Sequence, residues 1–188
     1  MFSQGRHDTK IIKEVTVNYE KVKYHETGIG VMGSDNRKAF ASFIENNWTE
    51  ESQRYFNSIK FMSTNFGKKT AEIYLCIYEN NNGLPGKIIE SGKILITVPS
   101  KNNIVTADLS KLQLQVPRNG YFIGFEWILS KENRISGNTP TLNFPYNPTI
   151  SGFTAKAINL YSYEGKWRKQ EDSNLVAGLA LEISYLQN

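Results

Sequence analysis

The sequence predicts an all-β fold, a single-domain antiparallel β-sandwich of jelly-roll-like kind. Three observations carry that expectation. Residues 119–130 read NGYFIGFEWILS, apolar on both sides of a period-2 pattern, with Tyr121, Ile123, Phe125, Trp127 and Leu129 on one face and Phe122, Gly124, Glu126 and Ile128 on the other. Only a central strand covered on both faces takes so much surface out of water, at about 1.5 to 3 kcal/mol per fully buried large side chain. Ten Tyr, ten Phe and three Trp accompany plentiful Ile and Val, and no long amphipathic helical run competes with them. Turn residues recur at short intervals, without βαβ alternation or internal repeat.

The elements follow in order. Between Ile11 and Tyr24, Val15, Val17 and Tyr19 alternate with Glu14, Thr16 and Asn18, a half-exposed strand. Gly28, Gly30 and Gly33 lack the spacing of a phosphate loop, and no Gly-Lys-Ser/Thr follows, so a turn or bulge is expected there. Residues 37–48 fit a strand, with Phe40 and Ser42 opposite Ala39, Ala41 and Phe43, better than a short helix. Ser58 to Asn65 and Thr70 to Glu79 form the next two strands. The second has an aliphatic face of Ala71, Ile73, Leu75 and Ile77, and Tyr74, Cys76 and Tyr78 on the other.

Asn80 to Gly86 is dense in turn chemistry and leads through a hairpin or broad loop to a strand over Ile94 to Val98. Strands over Ile104 to Leu109 and Leu112 to Val116 precede the central strand. Lys131 to Thr149, with Pro140, Pro145 and Pro148, reads as a long loop. Thr154 to Tyr163, a short return at Trp167, and Leu175 to Tyr185 complete the sandwich.

Composition narrows the function classes. The 188 residues fit one domain that can bury a core without disulfide or metal. The 22 basic and 18 acidic residues are interspersed, so the net charge of +4 favours solubility; the clustered basic face of a nucleic-acid binder is missing. No stretch has the length of a membrane span. The single cysteine, Cys76, is expected as a small buried thiol. Residues 1–10 are expected as a disordered tail or signal-peptide remnant, and 11–188 as the sandwich domain.

Four ordered segments also carry a resemblance: Tyr78 to Ile89, Val105 to Ser110, Val116 to Ile128, and Tyr161 to Trp167 with Leu179 to Tyr185. Together they resemble uncharacterised sandwich proteins of Bacteroidetes, which occur alone or behind a carboxypeptidase-like regulatory domain. The resemblance spans roughly Tyr55 to Tyr185. It implies an exported sandwich protein, in the periplasm, associated with the outer membrane or secreted, and it transfers no catalytic residues.

Chemistry offers little beyond surface recognition. With only His7 and His25, a triad is improbable and a three-His metal site impossible. Ser34 to Asn36 and Glu79 to Asn82 are oxygen-rich, as calcium requires, but have few carboxylates and equally suit plain turns; no metal or cofactor is assigned. Glu126 and Glu182 each oppose the large apolar residues of their strands and would be the acid pair of a glycoside hydrolase if they met across a sheet. The aromatics are the stronger lead. Trp48, Tyr146, Tyr163 and Trp167 lie in or beside polar, turn-rich segments, and Tyr74, Tyr78 and Glu126 are expected on one sheet face, where rings stack on sugars or anchor a protein. The expectation is a non-catalytic module binding a glycan or a cell-envelope protein. A structural, adhesin-like subunit and the carboxylate hydrolase are the alternatives.

Overall fold

A computed structural model describes residues 13–17, 29–34, 39–46, 53–67, 69–135, 145–154, 159–163, 166–169, 177–179 and 181–187. The expected tail, residues 1–10, lies outside them. In chain order the strands are β1 (Lys13–Val17), β2 (Ile29–Ser34), β3 (Ala39–Ile44), β4 (Arg54–Asn65), β5 (Ala71–Asn81), β6 (Leu84–Val98) and β7 (Lys101–Asp108). They continue with β8 (Tyr121–Trp127), β9 (Tyr146–Thr154), β10 (Asn159–Tyr163), β11 (Lys166–Lys169), β12 (Ala177–Leu179) and β13 (Leu181–Gln187). Described strand pairs are antiparallel throughout, in two sheets, which makes the chain the all-β sandwich the sequence predicts.

One sheet runs β11-β10-β3-β8-β5-β6; the other runs β1-β13-β4-β9-β12, with β2 added to β9 and β7 to β4. The predicted central strand is β8, flanked by β3 and β5. Its Tyr121, Ile123, Phe125 and Trp127 enter the core between the sheets, where they join Phe56, Ile59 and Phe61 of β4 and Ile183 and Tyr185 of β13. Rings bridge the two sheets: Phe56 meets Tyr121 edge-on at 5.1 Å, and Phe61 lies 4.7 Å from Phe125. The Tyr121 and Tyr185 hydroxyls pair with each other at 2.5 Å, which satisfies two polar groups inside the core.

The Asn-Gly signal makes the tight turn between β5 and β6, with φ of 53° at Asn82 and 83° at Gly83. The Asn80 side chain accepts from the Gly83 N–H at 2.8 Å and donates to the Asn119 carbonyl at 2.9 Å. Asn80 is therefore a turn former. At Gly33 the β2–β9 register shifts, a bulge as expected.

Three expectations need correction. The long loop ends early, because β9 begins at Tyr146 and takes Asn147, Pro148 and Thr149 into the sheet. Pro148 gives no N–H to a ladder, but it falls near the start of the strand, and its carbonyl accepts the Trp127 indole N–H at 2.7 Å. The strand expected over Thr154 to Tyr163 is accordingly the end of β9 and then β10, with residues 155–158 outside the described part. Leu112 to Val116 is not a strand: a 3-10 turn at Ser110–Leu112 and a left-handed Gln113 (φ 50°) break it. Leu114 and Val116 are buried nevertheless, because their backbone bonds to β4 at Phe56 and Arg54.

Candidate functional site on the outer face of the six-stranded sheet

The two outer faces differ in kind. On the seven-stranded sheet, Lys60 pairs with Glu182 at 2.7 Å and Ser58 with Ser184 at 2.7 Å, and Ile104 stands 71% exposed, outside either apolar cluster. On the six-stranded sheet, Ala41, Cys76, Tyr78 and Phe122 form a second apolar cluster outside the main core, with Phe43, Tyr74, Ile88 and Trp167 packed against it. A two-layer sandwich does not require this second cluster, since its core is already closed between the sheets.

Local sequence builds the cluster. Alternation puts Tyr74, Cys76 and Tyr78 of β5 opposite the aliphatic residues that enter the core. Phe122 and Phe43 stand directly opposite each other in register, with ring centroids 5.1 Å apart. Gly124 lies opposite Ala41, and a Cβ there would come within 2.6 Å of the Phe40 carbonyl oxygen, so only glycine lets β3 and β8 approach in this way.

Trp167 shapes the face. Its ring stands edge-on to Tyr78 with centroids 5.3 Å apart. Yet β11 and β5 are four positions apart in the sheet order, roughly 19 Å if the sheet were flat. The sheet therefore curls toward this side and makes its outer face concave.

The open end of the face is polar. Glu126 Oε1 accepts from the Tyr78 hydroxyl at 2.8 Å, and Oε2 pairs with Lys93 Nζ at 2.5 Å. The Lys93 ammonium also stands 4.5 Å from the centre of the Tyr74 ring. Tyr74 faces Glu126 across one strand pair and Leu95 across the other; Leu95 is 49% exposed. Burial, reinforced by the Glu126 charge, pushes the Cys76 thiol from 9.0 up to about 12. Burial also raises the Tyr78 phenol, with the neighbouring Cys76 and Glu126 adding to it, and the bond to Glu126 holds the Lys93 ammonium above its usual range. At neutral pH the site is thus an ion pair beside a protonated phenol and a protonated thiol.

Of the residues singled out from sequence, Tyr74, Tyr78, Glu126 and Trp167 come together here. Tyr146 opens β9 in the other sheet, with its backbone paired to Ser34 and bridged to Arg134. The Tyr163 backbone pairs with Lys166 at the β10–β11 return. Trp48 lies outside the described residues, as do Asp35, Asn36, His7 and His25. The expected Glu126 and Glu182 acid pair does not form: the two lie on opposite outer faces, each bound to its own lysine. Among the described residues no three His, Cys, Asp or Glu gather to hold a metal ion, and no helix is long and apolar enough to cross a membrane. Sequence reasoning missed Lys93 and Leu95, which the irregular register of β6 brings to the site.

Fold and face together define a sandwich module with one concave aromatic outer face. No family model matches the chain, and no curated protein matches it. Among solved structures it is similar to a Clostridial cysteine protease, Cwp84, after propeptide cleavage, with TM-score 0.59 and 13% identity over 94% of this chain and 40% of that one. It is also similar to the cysteine protease and lectin-like domains of Cwp84, a surface layer associated protein of Clostridium difficile, with TM-score 0.55 and 12% identity over 81% and 32% of the two chains. At these identities the likeness shows the fold, and the chain spans well under half of either structure.

Proposed function

We propose that this chain is an exported, non-catalytic module of the bacterial surface or periplasm that binds a carbohydrate on the concave face of its six-stranded sheet. The observation that carries the reading is that Tyr74 and Trp167, both half-buried, rim a face whose inner rings Tyr78 and Phe122 are buried, beside the Lys93–Glu126 pair. Flat rings offer surface to the C–H faces of a sugar, and the charged pair offers hydrogen bonds to its hydroxyls. The lectin-like domains named in the structural neighbour support the same class. A glycan array tests it: the parent protein is expected to bind a defined glycan, and Trp167→Ala and Tyr74→Ala to lose it with circular dichroism unchanged. Retention of the glycan by both variants would contradict this site.

An envelope protein as ligand is the second reading, favoured by Leu95 exposed beside Tyr74. The adhesin-like alternative has less support. It needs an open edge strand, and at the proposed face the edge strand β6 carries Pro85, two register shifts against β5, and Lys87 and Lys93, all of which discourage pairing with another chain there.

A further inference from the structure

We infer that the Lys93–Glu126 pair reads two adjacent hydroxyls of a neutral glycan in preference to the carboxylate of an acidic one. This inference rests on the sugar-binding reading above and narrows it to a class of sugar.

The hydrogen-bond inventory of the pair carries it. An ammonium has three donors, and Lys93 spends one on Glu126 Oε2. A carboxylate has about four acceptor directions, and Glu126 spends one on Tyr78 and one on Lys93, with the Cys76 thiol as a third partner, which leaves at least one open. What remains is a set of donors and acceptors side by side on groups of opposite charge. A hydroxyl both donates and accepts, so two neighbouring hydroxyls can engage Glu126 and Lys93 at once and leave the pair intact.

A carboxylate cannot do this, because it accepts hydrogen bonds and donates none. To bind Lys93 it must compete with Glu126, whose side chain is 28% exposed, and it brings a second negative charge against the first. The position of the pair also matters. Tyr74 and Leu95 flank it on either side of one strand pair and give the apolar ring face of a sugar somewhere to rest while its edge meets the charges.

The test is a titration of the intact protein with neutral oligosaccharides, with uronate-bearing and sialylated counterparts, and with monodeoxy analogues of the best binder, at low and high salt. A neutral glycan is expected to bind at least tenfold tighter than its acidic counterpart, with affinity constant within about twofold across salt. Removal of one of two adjacent hydroxyls is expected to weaken it tenfold or more. Glu126→Gln, which keeps an acceptor for Tyr78 and the side-chain shape, is expected to weaken it similarly. Tighter, salt-sensitive binding of the acidic glycans would overturn this inference and leave the sugar-binding reading standing. Failure of both classes to bind would overturn both.

Discussion

Tyr78 and Glu126, 48 positions apart in the chain, are joined by a 2.8 Å hydrogen bond on the outside of a sandwich whose core lies on the other side of their strands. The bond fixes one carboxylate oxygen and leaves Lys93 to hold the other. Replacement of the phenol by Phe removes the donor and keeps the ring. Tyr78→Phe is expected to lower stability by about 1 to 2 kcal/mol, read as a lower denaturant midpoint at unchanged slope. An unchanged midpoint would mean that water replaces the hydroxyl at no cost.

Cys76 gives the face a pH signature. Its thiol is held at about 12 in the folded chain against an ordinary 9.0, so the unfolded state loses its proton first. The stability from keeping this thiol protonated is complete below about pH 9 and is lost as pH rises toward 12, by up to about 1.4 kcal/mol per pH unit. Tyr78, also raised, acts in the same direction. Denaturation measured from pH 8 to 11 should show a shallower decline for Cys76→Ala than for the parent. A thiol reagent should label the native protein only as fast as it unfolds, and rapid native labelling would show the thiol to be accessible.

Gly124 sets the approach of β3 to β8. A methyl group there meets the Phe40 carbonyl at 2.6 Å and the Ala41 Cβ at 2.9 Å, both parts of a paired strand with little room to move. Gly124→Ala is expected to cost about 2 to 4 kcal/mol. Thermal melting measures it, and a melting temperature equal to that of the parent would show that the strands separate freely.

Asn133 ties the far end of the sandwich. Its side chain accepts from the Glu72 N–H at 2.9 Å and donates to the carbonyls of Glu72 at 2.6 Å and Ile128 at 2.8 Å, all while 2% exposed. Asn133→Ala leaves these backbone groups without their partner and should cost about 2 to 4 kcal/mol. Asn133→Asp should be no better, since it keeps the acceptor but sets a charge against two carbonyls. Equal stability of Asp and Asn at this position, by chemical denaturation, would contradict the assignment.

The parts of this architecture that were legible in sequence are those where one physical signal dominates. β8 announced itself because both of its faces are apolar, and β5 because Ile73, Leu75 and Ile77 alternate with Tyr74, Cys76 and Tyr78. The convergence of Tyr74, Tyr78 and Glu126 followed from that alternation. Lys93 did not, because its position depends on register. Continuation of the two-residue turn register would set Ile89 opposite Cys76, whereas shifts on either side of Tyr78 put Lys93 there. The start of β9 was hidden for a different reason. Pro145, Asn147 and Pro148 have the local chemistry of a loop, and tertiary partners, among them Asn133, Ile135, Phe66 and Trp127, draw them into the sheet. The separation of Glu126 from Glu182 likewise depends on which sheet each strand joins, which alternation alone leaves open.

The most direct test of the concave face as the binding face is a paired glycan titration of Tyr74→Ala and of Ile104→Ser. Tyr74 lies on the proposed face, whereas Ile104, 71% exposed on β7, lies on the seven-stranded sheet. The expected result is at least a tenfold loss of affinity for Tyr74→Ala and parent affinity for Ile104→Ser. Parent affinity for Tyr74→Ala with loss for Ile104→Ser would contradict the assignment and move the binding face to the opposite sheet.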